Sequence, residues 1–576
     1  SKIFNYLILI KPLFVFKILN LRLFLIEIYP MKYIILAAIS ALLFSVSWPT
    51  YGVPFFIFFA FVPLLLMEQE ISKFSKIKRK GWAVFGLSYF TFFIWNLVTT
   101  GWLYYAKNPD GSNSLLAVAI PLFANSLLMS STFQLYYWYK KVRGTYFGLV
   151  FFVAIWLSFE RFHLSWEFTW PWLNLGNVFS EYPKVIQWYD TIGATGGSFW
   201  ILLINVFTFY TIRIWEAGRI RKDLIKNVAI ISALIFIPIF ISIYKYNSFQ
   251  EKPVGNVNVV LLQPELDPYN EKYSKDSLQI LDELLTLAEQ NSKGKIDFFI
   301  APETAFPGRG SLSEKGFNKS ISINIAKEFL TKHPQSILLT GASTHKFLFN
   351  ESETENYSVK IQEGLWVNSY NSALQIIPNQ NVEVYHKGKL VPGVEIFPYI
   401  RFLKPFLGDA MLDFGGATSS LGIDKERKVF VNQFNKAKVA PIICYESIYG
   451  EFVTNYVKNG ANLLAIMTND SWWGNSEGHK QLLSYARLRA IETRREIVRA
   501  ANSGISAHIN AKGDIVEDTF YGDQTALAVT ANLLEEKSIY TKTGDLISRI
   551  AIFVLGFLLI YHFGEKIASK KSVQKV

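Results

Sequence analysis

Apolar segments about as long as a bilayer is thick recur through this chain, and no other feature constrains its fold as strongly. A helix needs about 20 consecutive apolar residues to cross the hydrocarbon core. Eight stretches meet or approach that length: 32–48, 52–67, 82–105, 115–138, 145–159, 190–212, 227–244 and 546–563. The second and fifth are short and borrow their flanks. Trp and Tyr collect near the ends, as in GWLYY and LYYWY, where the membrane interface favours amphipathic rings. Only 18% of residues are charged, against about 25% in soluble domains. A multi-pass helical bundle of about eight spans is the predicted architecture of this part.

The charges fix an orientation. The net charge is +12, but the cations sit in short runs between apolar segments: KFSKIKRK (73–80), KKVR (140–143), RIRK (219–222) and KKSVQK (570–575). Nucleic-acid binding needs a basic face on a folded soluble surface, so no nucleic-acid partner is expected. Cytoplasmic loops of membrane proteins carry this excess of Lys and Arg. The loops SWPTYG, AKNPDGSNS and 160–189 then lie outside, as does the chain after 245, and the basic tail returns inside. Glu160 and Arg161, at a span end, read as interfacial anchors or a local ion pair. Residues 1–30 are apolar but broken by Lys11, Lys17 and Arg22, which is costly in a lone span. They read as an interfacial segment or as an extension before a start at Met31. The segment after Met31 reads as an uncleaved anchor.

Residues 246–540 differ in kind. Strand-like runs at 257–263, 297–303, 336–343, 372–378, 439–446, 462–470 and 505–511 alternate with helical runs such as 275–290 and 317–332. That alternation predicts an α/β domain with buried sheets. The expected organisation is an extension (1–30), a membrane domain with about seven spans (31–245), an extracytoplasmic α/β domain (246–540), and a final span with a basic tail (541–576).

The only cysteine, Cys444, stands at the end of the strand-like run VAPIICYESI. Two further motifs place a charged group at a strand end: FFIAPETAFPG with Glu303, and YHKGKLVPGVEIFP with Lys387 and, eight residues on, Glu395. Strand ends are where α/β sheets present their sites. Singly, each has a plain structural explanation: a buried cysteine packs as a small hydrophobe, Glu303 caps a helix, and Lys387 is a surface charge. Together they suit nucleophilic catalysis. A free thiol is mostly protonated near neutral pH and needs a base or a nearby cation to become a nucleophile. His163, His386 and His562 stand in no Cys/His signature. A carboxylate could take the thiol proton, and a lysine could stabilise the thiolate and an oxyanion. The His and Cys residues show no metal-ligand spacing, and no metal or cofactor is expected.

The three motifs, in this order, resemble the carbon–nitrogen hydrolase (nitrilase) superfamily. A nitrilase-like domain between spans resembles the apolipoprotein N-acyltransferase family in particular. FTWPWLNLGNVF (168–179), DTIGATGGSFWILLIN (190–205), YNSA (370–373), TNDSWWG (468–474), ARLRAIETRREIVRAANSGIS (486–506) and YTKTGD (540–545) agree with that family's other blocks. The likeness runs from Met31 onward.

The resemblance implies a four-layer αββα sandwich. It assigns Glu303 as general base, Lys387 as oxyanion-stabilising cation, with Lys389 the weaker alternative, and Cys444 as nucleophile. Glu395, Glu446, Tyr445 and Asn371 match supporting residues. Where the family often carries a Trp, this chain has Tyr273. Trp170, Trp172, Trp472 and Trp473 are candidate lipid-facing groups. The implied reaction moves an acyl chain from a phospholipid to the N-terminal amine of a diacylglyceryl-cysteine apolipoprotein. It passes through a Cys444 thioester, in the bacterial inner membrane with the catalytic domain periplasmic. A membrane-anchored amidase cleaving a small C–N bond is the alternative enzyme, and a transporter or receptor the non-enzymatic one.

Overall fold

Helices that start and stop where the apolar segments do form one part of the chain, and two β-sheets flanked by helices form the other. The computed structural model describes residues 31–573, without 109–110, 219–220, 268, 270–274, 307–309 and 400–419, and with backbone alone at 221 and 566–573. The N-terminal 1–30 and Tyr273 lie outside the described residues.

Among the described residues, six helices are long and apolar enough to cross a membrane, and Met31–Ser47 is a shorter apolar helix. The sequence suggests about eight spans because two of its stretches fall within one 49-residue helix, Leu115–His163. Straight, that helix would run about 74 Å, more than twice the thickness of a bilayer core. It is not straight. Gly144 interrupts it with φ 81 and ψ 176, a conformation open to glycine because it lacks Cβ. The rings of Tyr139 and Phe151 stack with centroids 4.1 Å apart, although twelve residues of straight helix would separate them by about 18 Å. The chain therefore doubles back at Gly144, and its two limbs are antiparallel neighbours. Inside the bundle, Lys140 pairs with the buried Glu68.

Glu160 and Arg161 do not pair with each other. A Glu160 oxygen accepts the Leu175 N–H (2.9 Å) and the Trp156 indole N–H (3.2 Å). Arg161 reaches out of the bundle to Glu451 and, at 3.3 Å, to Asp545. The expected interfacial anchor is thus a strut between the bundle and the α/β part.

The first sheet contains β1 (Gly255–Gln263), β2 (Phe298–Ile300), β3 (Leu312–Ser313), β4 (Ile337–Leu348), β5 (Val359–Gln362), β6 (Leu365–Ile376) and β7 (Glu383–His386). The second contains β8 (Phe430–Val431), β9 (Lys438–Ile443), β10 (Leu463–Thr468), β11 (Ile497–Ala501), β12 (Ala507–Ile509) and β13 (Ile515–Asp518). Then β14 (Thr525–Leu533) returns to the first sheet and pairs antiparallel with β1 along its whole length, Gly255 opposite Leu533. At the centre of each sheet three strands run parallel: β1, β2 and β4 in one, β9, β10 and β11 in the other.

Alternation along β1 gives the layering. Val257, Val259 and Leu261 join a core with Ile442, Leu464 and Val498 of the second sheet. Val260 and Leu262 pack instead with Leu281 and Leu284 of helix Ser277–Gln290 and Leu330 of helix Ile321–Lys332. Side chains of one strand point alternately to its two faces, so the first sheet has the second sheet on one side and helices on the other. Helices Gly450–Lys458 and Glu477–Thr493 contribute Val453, Tyr456, Leu482 and Tyr485 to the core that holds the second sheet. The order is the expected αββα sandwich. Its parallel strands direct their C-terminal ends to one edge, where Ile300, Ile443 and Thr468 end β2, β9 and β10.

Candidate active site

Cys444 follows β9 directly. The strand KVAPII is buried after its first residue, as an interior parallel strand requires. At Cys444 the chain turns sharply, with φ 47, a left-handed value that costs a non-glycine residue energy and persists only where surroundings enforce it. A short 3-10 turn, Cys444–Ile448, follows.

The enforcing residue is Glu446. It is 0% exposed, and its two oxygens accept four hydrogen bonds: from Tyr385 hydroxyl (2.6 Å), Gly388 N–H (2.7 Å), Ile443 N–H (2.8 Å) and Tyr456 hydroxyl (3.2 Å). Arg427 lies 3.5 Å away and supplies a countercharge. One carboxylate thus holds the residue before Cys444 and the residue after Lys387. Burial pushes its own pKa up, against the lowering effect of these donors.

Glu303 lies three residues past β2. Gly341 permits its placement: a Cβ there would come within 2.5 Å of the Glu303 Cα and the Thr304 nitrogen. The Glu303 carboxylate receives Lys387 Nζ at 2.7 Å and Asn371 Nδ2 at 2.8 Å on Oε1, and the Asn469 N–H at 3.0 Å on Oε2. Lys387, just beyond β7, is 1% exposed, and its N–H binds the Asn371 carbonyl at 2.8 Å. Its ammonium also donates to Glu395 Oε1 at 2.9 Å. The Asn371 amide bridges the same two carboxylates, reaching Glu395 at 2.7 Å. Glu395 is steadied by the Val391 N–H on Oε2, 2.8 Å.

The site is therefore a buried cation between two carboxylates, beside a buried thiol. Burial alone would lower the Lys387 pKa, but Glu303 and Glu395 outweigh it, and the ammonium is held charged well above the ordinary lysine range. Burial and the facing Glu303 charge push the Cys444 thiol up, against the pull of Lys387 and of Thr468 beside it. With its thiol raised, Cys444 can act as a nucleophile only if a neighbouring base takes the proton as sulfur attacks. Lys387, fixed and dehydrated, is a cation on which negative charge can develop.

Lys389 is separate. Its Nζ donates to the Leu164 carbonyl of the bundle at 3.1 Å and lies over the Tyr449 ring. Tyr445, next to the thiol, likewise turns to the bundle: its hydroxyl donates to the Thr169 carbonyl at 3.0 Å, and burial raises its pKa to about 12. His386 stacks on Tyr370 and bonds Ser372, outside this cluster.

The tryptophans form a seam between bundle and sandwich. Trp172 is 2% exposed and donates its indole N–H to Gln481 Oε1 at 2.6 Å. Trp102 donates to the same oxygen at 3.2 Å. Gln481 Nε2 donates to the carbonyls of Pro49 (2.9 Å) and Thr99 (3.2 Å). Trp473 meets Trp102 edge-on at 4.8 Å, and Trp170 stacks on Trp172 at 5.9 Å. The Trp472 carbonyl accepts the Tyr269 hydroxyl at 2.9 Å, and that hydroxyl also accepts the Lys107 N–H from the bundle. The sequence reading missed Gln481, Asn469, Tyr269 and Tyr385. Asn469 and Tyr385 had a signal, since they lie in the TNDSWWG and YHKGKLVPGVEIFP blocks; Gln481 and Tyr269 stand in no block quoted above.

Two family models match the chain. The apolipoprotein N-acyltransferase N-terminal domain matches residues 40–207, and the carbon-nitrogen hydrolase model matches residues 261–531. The chain is 27% identical to a protein named apolipoprotein N-acyltransferase from Chlorobaculum tepidum, over 91% of this chain and 95% of that one. Apolipoprotein N-acyltransferase 1 from Treponema denticola is 26% identical, over 94% and 98%. A protein of the former name from Aquifex aeolicus is 26% identical, over 71% and 82%.

Proposed function

This chain belongs to the apolipoprotein N-acyltransferase family and carries a carbon–nitrogen hydrolase domain, and from that premise we propose that it moves an acyl chain from a phospholipid to the N-terminal amine of a diacylglyceryl-cysteine apolipoprotein. The observation that carries this reading is the buried Glu303–Lys387–Glu395 cluster beside Cys444, at a sandwich edge tied to the bundle through Tyr445 and Lys389. A thiol in that position serves a substrate that lives in the membrane.

In the first half-reaction Cys444 attacks the ester carbonyl as Glu303 takes the thiol proton. The tetrahedral oxyanion forms against Lys387. The intermediate collapses to a Cys444 thioester, and the lysophospholipid leaves with the proton from Glu303. In the second, a neutral amine attacks the thioester, Glu303 accepts the amine proton, and the thiol is reprotonated as the amide departs. Glu395 and Asn371 keep Lys387 aimed and charged throughout. Water must be kept from the thioester, and the Trp102–Trp172–Trp473 seam is placed to do this. The basic loops at the far end of the bundle support an inner-membrane orientation with the sandwich outside the cytoplasm.

Intact mass after incubation with phospholipid tests the reading. The expected product is one acyl adduct per chain that persists without an amine acceptor and is absent in Cys444→Ala. Rapid turnover of a small amide with no lipid adduct would replace the transferase with an amidase.

A further inference from the structure

At the end of the bundle away from the catalytic site, helices Val62–Phe74 and Lys80–Thr100 and the first limb of Leu115–His163 line an open cavity of about 1130 Å³. Its wall bears six cations, Lys73, Lys78, Arg79, Lys80, Lys140 and Lys141, and one carboxylate, Glu68. Glu68 is already neutralised by Lys140 and also accepts the hydroxyls of Ser72 and Tyr136. Lys80 is held by the Ser72 carbonyl at 2.8 Å. Lys73, Lys78, Arg79 and Lys141 have no ion-pair partner among the described residues.

Two further features point to a ligand. Gln134 lines the cavity and is 7% exposed, yet its buried Oε1 has no hydrogen-bond partner among the described residues. A buried acceptor without a donor is costly, and a ligand hydroxyl would satisfy it. Trp82 and Trp138 also line the cavity and are 71% and 55% exposed, as rings beside acyl chains would be. Cations that only set orientation need to lie in short loops near span ends; they need neither a cavity nor a buried polar group waiting in its wall. Basic pockets between transmembrane helices bind anionic headgroups.

We propose that this cavity is a binding site for one anionic glycerophospholipid of the leaflet away from the catalytic domain. Its phosphate lies among Lys78, Arg79 and Lys141, and a headgroup hydroxyl donates to Gln134. This lipid is not the acyl donor, because a bundle's length separates it from Cys444.

Native mass spectrometry of the full chain in detergent tests the site, with phosphatidylglycerol, phosphatidic acid and phosphatidylcholine as probes and Cys444 acylation as the check on folding. One phosphatidylglycerol per chain is expected to bind at least tenfold more tightly than phosphatidylcholine, and less tightly as salt rises. The K78Q/R79Q/K141Q variant should lose at least tenfold in that affinity with Cys444 acylation unchanged. Gln134→Leu, which alters no charge and so keeps the test decisive if the triple variant fails to insert, should weaken phosphatidylglycerol but not phosphatidic acid, which lacks the hydroxyl. Equal retention of phosphatidylcholine, or unchanged affinity in both variants, overturns the proposal. So does displacement by glycerol 3-phosphate at equal concentration, which would make a soluble phosphate the ligand.

Discussion

Lys387 Nζ donates to Glu303 Oε1 at 2.7 Å with both side chains buried, so the residue we propose as the base is held by the residue we propose to meet the oxyanion. Neither can be altered without disturbing the other, and the variants that separate their roles must be chosen by charge.

Glu303→Gln keeps the shape and removes the charge. Glu303 is one cause of the raised Cys444 thiol, so its loss lowers that pKa. Alkylation of Cys444 by iodoacetamide at pH 8 should become faster in the variant, while acylation by phospholipid slows by about 10²–10⁴. If both rates move in the same direction, Glu303 is not the base. In the unaltered protein, alkylation should rise with pH through 9 without the plateau of a free thiol. Because the folded thiol holds its proton more tightly than the unfolded one, stability from this group is intact below the unfolded value of about 8.5. It is lost as pH rises above that value.

Glu446→Ala removes the carboxylate that ties the turn before Cys444 to the backbone after Lys387 and leaves Arg427 without its buried countercharge. The expected loss of stability is about 3–5 kcal/mol, read as a fall in Tm, with the Cys444 adduct abolished. A variant of unchanged Tm would show that the carboxylate does not hold the turn.

Gly341→Ala sets a Cβ within 2.5 Å of the Glu303 backbone without touching any polar group. A 1 Å displacement of a reacting group can cost about 100-fold. The acylation rate should fall by that order while the protein still inserts and purifies. An acylation rate like that of the parent would mean that the strand yields instead.

Gln481→Leu strips the acceptor from Trp172 and the donor from the Pro49 carbonyl, while Trp102 and the Thr99 carbonyl keep their bond to each other at 3.1 Å. Each buried group left without a partner costs about 1–3 kcal/mol. The loss falls on the seam, so a thioester once formed should hydrolyse faster in the absence of acceptor, measured as decay of the acyl adduct. Unchanged decay would remove the seam from the exclusion of water.

The apolar segments were legible because membrane span length is a local property. The three strand-end motifs were legible because each places its reactive group beside a short apolar run. Seven strands escaped, β3, β5, β7, β8, β11, β13 and β14, five of them only two to four residues long and the other two instructive. Ile497–Ala501 follows helix Glu477–Thr493 after one left-handed residue, Arg494 with φ 52, so helical and strand patterns run together. Thr525–Leu533 is defined by pairing with β1, which no local pattern reports. Glu446 read as a supporting acid; its four donors come from three separated segments and meet only in the fold. The partners of Arg161, Glu451 and Asp545, are likewise hundreds of residues away.

The pairing of β14 with β1 also orders assembly in time. Gly255 emerges from synthesis 278 residues ahead of its partner Leu533, an interval of about 15–55 s at ordinary elongation rates of about 5–20 residues per second. Throughout that interval the first strand of the catalytic domain, tethered to the membrane just behind it, has an open edge. Closure comes only as the helix that follows β14, Leu546–Val573, is being made. The enzyme thus gains its finished sheet and the apolar helix beyond it in one stroke, and a chain truncated before residue 525 keeps its thiol but not the sheet that sets Glu303 against Lys387.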